Sequence, residues 1–292
     1  MCGIAGLFLK NRALEPELGA LTATMLTVLT DRGPDSAGFA IYGHGMPDHR
    51  KFTLRAPANF DFGALAAKVD AVYRVHDDHA VFTFPAAREA QVRAVLATFP
   101  EIAIVAFGER MELYKGVGLP QDVANRFGLA KMSGSHAIGH TRMATESAVT
   151  TQGAHPFSTG PDQCLVHNGS LSNHNDVRRK LIRENISFET QNDTEVAAGY
   201  LSWKLRNGAK LNEALTSALD DLDGFYTFVV GTESGFGVLR DRVACKPAVM
   251  AETDDYVAFG SEYRALVNLP GISKARLFEP EPAKVYFWEH AA

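Results

Sequence analysis

The chain has 292 residues, enough for one large or two small domains with a substantial core. Its 46% apolar and 22% charged content is ordinary for a soluble globular protein. A net charge of −5 argues against a dedicated nucleic-acid or anionic-membrane surface, and no stretch approaches the roughly 20 apolar residues of a membrane span.

The N-terminus lacks the basic and long apolar regions of a secretory signal and reads as a strand, Ile4 to Leu9. Leu14, Leu18, Leu21, Met25 and Leu29 then recur at helical spacing until Gly33-Pro34 halts the pattern. A short strand follows at Phe39–Tyr42. Between about Asp48 and Arg110 the rhythm changes. Strands at Phe52–Leu54, Ala80–Phe84 and Ile102–Phe107 alternate with helices at Phe62–Val69 and Arg88–Thr98. This βαβαβ pattern predicts a small inserted α/β unit within a single domain spanning residues 1–292.

Further strands are expected at His136–His140 and Cys164–His167. Three helices follow, at Asp176–Glu184, Thr194–Arg206 and Asn212–Leu222. The remainder reads as strands at Tyr226–Val230, Gly237–Leu239, Val249–Ala251, Val257–Phe259 and Val285–Trp288, separated by turn residues. Strands at both ends with helices between them make an α+β chain.

Cys2, Cys164 and Cys245 are odd in number and far apart, which points to reduced thiols in a cytoplasmic protein, not to a disulfide framework. Cys2 stands in Met1-Cys2-Gly3-Ile4-Ala5-Gly6. While Met1 is attached, the nitrogen of Cys2 is an amide and takes no proton. Its removal leaves an α-amine of pKa about 7.7–8.0 beside a thiol of about 8.5, so nucleophile and base share one residue. The bland alternative is a small residue near a frayed end.

Further motifs follow in order: Asp31-Arg32-Gly33-Pro34-Asp35-Ser36-Ala37-Gly38, Gly139-His140-Thr141-Arg142-Met143-Ala144-Thr145, Ala154-His155-Pro156-Phe157 and Val166-His167-Asn168-Gly169-Ser170. Gln191-Asn192-Asp193-Thr194-Glu195, Asp241-Arg242 with Lys246-Pro247, and Phe259-Gly260-Ser261-Glu262 complete the set. With these the sequence resembles the class II glutamine amidotransferases, and within them the free-standing, glutamate-synthase-like subunits, such as the A subunits of methylamine–glutamate N-methyltransferases.

The resemblance implies a four-layer αββα N-terminal-nucleophile hydrolase fold and hydrolysis of L-glutamine to L-glutamate and ammonia. Cys2 is then the nucleophile that forms a glutamyl thioester, with Asn168 and Gly169 as the oxyanion hole. Arg142 holds the substrate α-carboxylate and Asp193 its α-ammonium. Thr145 lines the same pocket, while Arg32 and Gly33 shape its rim. Taken singly, Arg142 reads equally as an ion-pair partner, Asp193 as a helix N-cap and Asn168-Gly169 as a turn. Met143 departs from relatives that carry an aromatic residue there. His155-Pro156 reads as architectural.

No cofactor is implied for this chain. Its ammonia would pass to a separate flavin- and iron–sulfur-containing, glutamate-synthase-like partner, since no second domain to consume it is evident. Two rival readings stay open: an amidohydrolase acting on another small amide, and a catalytically silent subunit that binds glutamine or glutamate. No metal site is expected, because His136 and His140 share a strand and His76-Asp77-Asp78-His79 reads as a turn. Gly116-Val117-Gly118 is discounted as a dinucleotide fingerprint, for want of a third glycine and of a strand–turn–helix setting.

Overall fold

The computed structural model describes residues 2–144 and 148–290. In chain order it begins with β1 (Gly3–Leu9), α1 (Leu18–Val28) and β2 (Ser36–Tyr42). A compact run follows: β3 (His49–Arg55), α2 (Phe62–Val69), β4 (Val72–His76), β5 (His79–Pro85), α3 (Glu89–Leu96) and β6 (Ala103–Gly108). Next come β7 (Met111–Val117), α4 (Pro120–Phe127), β8 (His136–Arg142), β9 (Phe157–Gly160) and β10 (Gln163–Leu171). Helices α5 (His174–Arg183), α6 (Asp193–Arg206) and α7 (Leu211–Asp221) lead into β11 (Gly224–Gly231) and β12 (Gly235–Arg240). The chain closes with β13 (Val249–Glu252), β14 (Tyr256–Gly260), β15 (Arg276–Phe278) and β16 (Val285–Glu289).

Two antiparallel sheets form the centre. One runs β15-β13-β14-β1-β8-β2-β7 and the other β16-β12-β11-β10-β9. Because side chains alternate across a strand, each strand feeds two layers. In β1, Ala5, Leu7 and Leu9 pack with Leu18, Met25 and Leu26 of α1 and Phe127 of α4. Ile4 and Phe8 point the other way, meeting Val166 of β10, Val229 of β11 and Phe236 of β12 between the sheets. The outer face of the second sheet carries Leu165, Tyr226 and Phe228 against Val177, Val196, Leu201 and Leu215 of α5, α6 and α7. The layers are therefore helix, sheet, sheet, helix, the α+β architecture implied by the resemblance. No helix among the described residues is long and apolar enough to cross a membrane.

Residues 49–108 build a third sheet, β4-β5-β3-β6, all antiparallel, with its own core of Phe52, Phe62, Leu65, Phe82, Phe84 and Val92. Its element order is βαββαβ and not βαβαβ. The extra strand, β4, escapes the pattern because Val72, Tyr73 and Val75 are apolar yet exposed. Glu112 of β7 is buried and pairs with Lys51 at 3.0 Å and Arg74 at 2.6 Å, tying this sheet to the first.

Other elements depart from expectation for local reasons. The first helix begins at Leu18 and not Leu14, because Pro16 sits in the preceding 3-10 turn (Arg12–Glu17) and biases its neighbour away from helix. Strand β7 holds Glu112 and Lys115, charges that hide a buried strand. Strands β9 and β15, of four and three residues, are too short to register as patterns. Gly118 does stand between a strand, β7, and a helix, α4, contrary to expectation. The surrounding sheet is antiparallel and Gln121 occupies the third-glycine position, so the motif still lacks a dinucleotide fingerprint.

Candidate active site

The chain start is fixed at the middle of the first sheet. β1 pairs with β14 on one side and β8 on the other. Ile4 N–H donates to Ser261 Oγ at 2.9 Å, and Ser261 N–H returns to Ile4 O at 3.0 Å. Gly3 faces Thr141, and any β-carbon at Gly3 would lie 2.7 Å from the Thr141 hydroxyl. Two donors converge on the Cys2 carbonyl oxygen: Arg32 Nε at 2.9 Å and Asn168 Nδ2 at 3.1 Å. Cys2 Sγ lies 3.8 Å from the Met143 carbonyl oxygen and is half-buried.

Arg32 is buried and forms an ion pair with Glu262 at 2.6 Å. Burial opposes the Glu262 charge, but the Arg32 and Arg264 guanidiniums outweigh it and hold the carboxyl below its usual value. Gly33 packs directly on the Thr141–Arg142 peptide, leaving no room for a side chain. Arg142 ends β8, buried, with Nη1 3.4 Å from Ala148 O. Asp35 clamps the same corner, its N–H on Arg142 O at 3.1 Å and its carboxylate on Ala144 N–H at 2.7 Å. Thr145 lies outside the described residues.

Asn168 and Gly169 sit near the end of β10, opposite Thr227 and Tyr226 of β11. Gly169 has φ of +147°, and a β-carbon there would run into the Phe225 carbonyl, so the position requires glycine. Asp193 is not the cap of α6. Asn192 caps it, accepting from Thr194 N–H at 2.8 Å, and this leaves the Asp193 carboxylate to accept from Leu171 N–H at 2.9 Å.

Behind these residues lies a buried imidazole cluster whose members sequence reasoning assigned to no site. His155 Nε2 and His167 Nδ1 meet Thr194 Oγ1 at 2.7 and 3.0 Å. His140 stacks on His155 with ring centroids 4.1 Å apart, and its Nε2 donates to His167 O at 3.2 Å. Burial pushes all three rings below their usual pKa, His140 to about 3, although the Asp193 carboxylate partly counters it at His167. Each of the three histidines belongs to a motif already visible in the sequence. Thr194, which joins His155 and His167, stands in a motif as well, but no local pattern ties it to the imidazoles.

The fold thus brings Cys2, Arg32, Asn168 and Met143 into direct contact, places Gly33 against Arg142, and sets Asp193 two residues past Gly169 through Leu171. His136 and His140 each bond a backbone carbonyl, His136 that of Thr232 in the β11–β12 turn at 2.9 Å and His140 that of His167 in β10. Cys164 is buried under the Tyr42 hydroxyl at 3.3 Å, which burial accompanies with a thiol pKa pushed up to about 12; Cys245 is exposed.

A glutamine amidotransferase domain family matches residues 140–268, the span holding Arg142, Asn168, Gly169 and Asp193. The chain is 65% identical to the glutamine amidotransferase-like protein GlxB of Rhizobium meliloti, covering 99% of each chain. It is 34% identical to a putative glutamine amidotransferase of Methanothermobacter thermautotrophicus, covering 98% of this chain and 99% of that one. Among solved structures it is similar to the glutamine phosphoribosylpyrophosphate amidotransferase of B. subtilis, with a TM-score of 0.63 and 22% identity. That match covers 99% of this chain but 47% of the other, so the chain spans about half the length of that solved enzyme and shares its fold. With near-complete coverage of two such relatives and an αββα core that begins at a cysteine, the chain belongs to the class II glutamine amidotransferases.

Proposed function

We propose that the chain hydrolyses L-glutamine to L-glutamate and ammonia through a thioester on Cys2, and that it supplies the ammonia to a separate synthase subunit. The observation that carries this reading is the pair of donors on the Cys2 carbonyl, Arg32 Nε at 2.9 Å and Asn168 Nδ2 at 3.1 Å. They hold the first residue of the processed chain rigidly beside the Asn168-Gly169 corner.

Once Met1 is removed, the α-amine takes the thiol proton and Sγ attacks the side-chain carbonyl carbon of glutamine. Charge develops on that oxygen, where the second N–H of the Asn168 amide and the Gly169 N–H serve as donors. The C–N bond breaks, the amine returns its proton to the departing nitrogen, and ammonia leaves a glutamyl thioester. Water, deprotonated by the same amine, then attacks the thioester and regenerates the thiol. Arg142 holds the α-carboxylate in a two-pronged contact and Asp193 the α-ammonium, so a free amino acid is selected. Arg32 and Gly33 form the rim, and the resemblance alone assigns Thr145, outside the described residues, to substrate binding.

Residues 48–110 act as an insertion that docks the synthase partner, a flavin- and iron–sulfur-containing, glutamate-synthase-like chain. Val72, Tyr73 and Val75 support this, because they expose 76%, 43% and 48% of their surface on the edge strand β4. An apolar, unpaired strand edge is a surface that proteins normally cover. The direct test of the reaction is ammonia release from glutamine by the purified chain, with and without the co-purifying partner. Activity equal to that of Cys2→Ala in both conditions would reject it.

A further inference from the structure

A cavity of about 650 Å³ lies away from Cys2, between the β4-β5-β3-β6 sheet and the main body. Arg55 at the end of β3 and Ile104 and Phe107 of β6 form one wall. Lys115 of β7, Phe157 of β9 and Gln163 of β10 form the other, with α6 and residues 185–190 along the side. Neither Cys2, Arg142, Asn168 nor Asp193 lines it. Its volume falls within the roughly 300–1,000 Å³ of small-molecule sites, and its walls mix aromatic surface with a few polar groups.

Three of the polar groups, on Lys115, Gln163 and Arg55, have donor capacity left over. Lys115 is buried, and its Nζ donates to Gln152 O at 3.1 Å and Ala154 O at 3.0 Å and lies 4.5 Å from the Phe157 ring centroid, so one of its three N–H groups has no oxygen acceptor among the described residues. Gln163 is 1% exposed, and its Oε1 accepts from Ser202 Oγ at 2.8 Å, whereas its Nε2 has no partner among the described residues. The Arg55 guanidinium is half-buried and makes no hydrogen bond or ion pair among the described residues, although its charge lowers the Asp78 carboxyl. Buried donors are kept without acceptors only at a cost.

The lining carboxylates Glu189 and Glu195 favour the Lys115 charge but, among the described residues, hydrogen-bond none of these donors. Glu195 is already engaged by Glu189 N–H at 2.7 Å, Thr190 N–H at 2.8 Å and Thr190 Oγ1 at 2.6 Å, and Glu189 lies exposed at the mouth. The other two lining cations are spoken for as well. Arg93 pairs with Glu89 at 2.7 Å and Arg206 donates to Glu184 O.

We propose that this cavity binds a small organic carboxylate with an apolar body. Its carboxylate accepts from Arg55, Lys115 and Gln163, and its body rests on Ile104, Phe107 and Phe157. Such a ligand spans the two units and joins them. Because Lys115 also holds the Gln152 and Ala154 carbonyls, occupancy reaches the loop leading to His155, whose partner Thr194 adjoins Asp193.

Isothermal titration of the full chain with phenylalkanoates, from benzoate to 5-phenylpentanoate, tests this against the matching neutral amides. At least one carboxylate should bind, at least tenfold more tightly than its amide. Arg55→Met and Lys115→Met should each weaken it about tenfold or more, and Ile104→Trp, which fills the space without touching a cation, should do the same. Arg55 is half-buried at a strand end, so its variant keeps the fold even if Lys115→Met does not. No binding by any carboxylate, equal binding of amide and acid, or affinity unchanged in both Arg55→Met and Ile104→Trp would overturn the assignment. The readout is binding without turnover, so it stands or falls independently of the glutamine reaction.

Discussion

Asn168 donates its side-chain amide to the Cys2 carbonyl oxygen at 3.1 Å, so a residue of the second sheet holds in place the residue that leads into β1 of the first. The same amide carries a second N–H, which the proposed mechanism assigns to the substrate oxygen. Asn168→Ala is expected to lower kcat for glutamine hydrolysis by about 10²–10³-fold, the usual loss of about 2.7–4 kcal/mol for one oxyanion donor. Gly169→Ala should be at least as damaging, because its β-carbon has no space beside Phe225 O. Steady-state ammonia release measures both, and near-normal turnover in either variant would remove that residue from the oxyanion site.

Activity should require that the mature chain begin at Cys2. With Met1 retained, the nitrogen of Cys2 is an amide and no base adjoins the thiol. Intact-mass measurement on active protein is expected to show loss of the initiator methionine, and active protein with Met1 in place would contradict the mechanism. Cys2→Ala should abolish hydrolysis with little change in thermal stability, since the Cys2 side chain is only half-buried.

Substrate recognition should depend on two opposite charges. Arg142→Lys keeps the cation but loses the planar fork, and Asp193→Asn removes the anion while keeping an acceptor for Leu171 N–H. For both, KM should rise at least as clearly as kcat falls, as the contacts exist in ground and transition states alike. If both variants kept wild-type kinetics, the substrate would not be a free amino acid.

Acid should destabilise the protein well above the carboxylate range. Burial depresses His136 and His140 to about 3, and also lowers His155 and His167, from a usual 6.5. Below pH 6.5 the unfolded chain therefore binds protons that the folded chain refuses, so stability is highest above that pH and falls as pH drops. The urea midpoint should decrease steadily from pH 7.5 to 5. A midpoint that held constant over this interval would show that these rings are not neutral in the fold.

Partner binding should run through the edge of β4. Val72→Asp with Val75→Asp places two charges on an already exposed strand, so folding and glutaminase activity are expected to persist while co-purification of the synthase chain is lost. Undiminished co-purification by the folded variant would place the docking surface elsewhere.

The sequence disclosed the two ends of this architecture better than its middle. Alternation in β1 and in β10–β12, and the motif glycines at positions 33 and 169, are legible because they answer to one strong constraint each, burial or backbone space. Strand β7 was hidden, since Glu112 and Lys115 look like surface charges until Lys51, Arg74 and two carbonyls are brought to them by distant segments. Strand β4 was hidden for the opposite reason, being apolar but uncovered. The Cys2 contacts with Arg32 and Asn168 span separations of 30 and 166 residues. Their motifs were readable, but no local pattern predicts that both donors converge on one carbonyl oxygen. Likewise the role of Glu262 as partner to Arg32 was invisible, although its motif was not.

Tyr42 pairs with Met111, and Gly43 N–H bonds Arg110 O at 3.2 Å, so β2 and β7 are the arms of a hairpin whose turn is an entire folded unit. The Asp162 carboxylate accepts the N–H groups of Glu109, Arg110 and Met111 at 2.6, 2.9 and 2.8 Å where that unit rejoins the core. This arrangement lowers the cost of closing the hairpin. Closing a long flexible loop is entropically unfavourable, but residues 49–108 contain their own sheet and core, and once folded they present their two ends side by side. The β2–β7 pairing then becomes a short-range contact, and Asp162 fastens it from the second sheet's side.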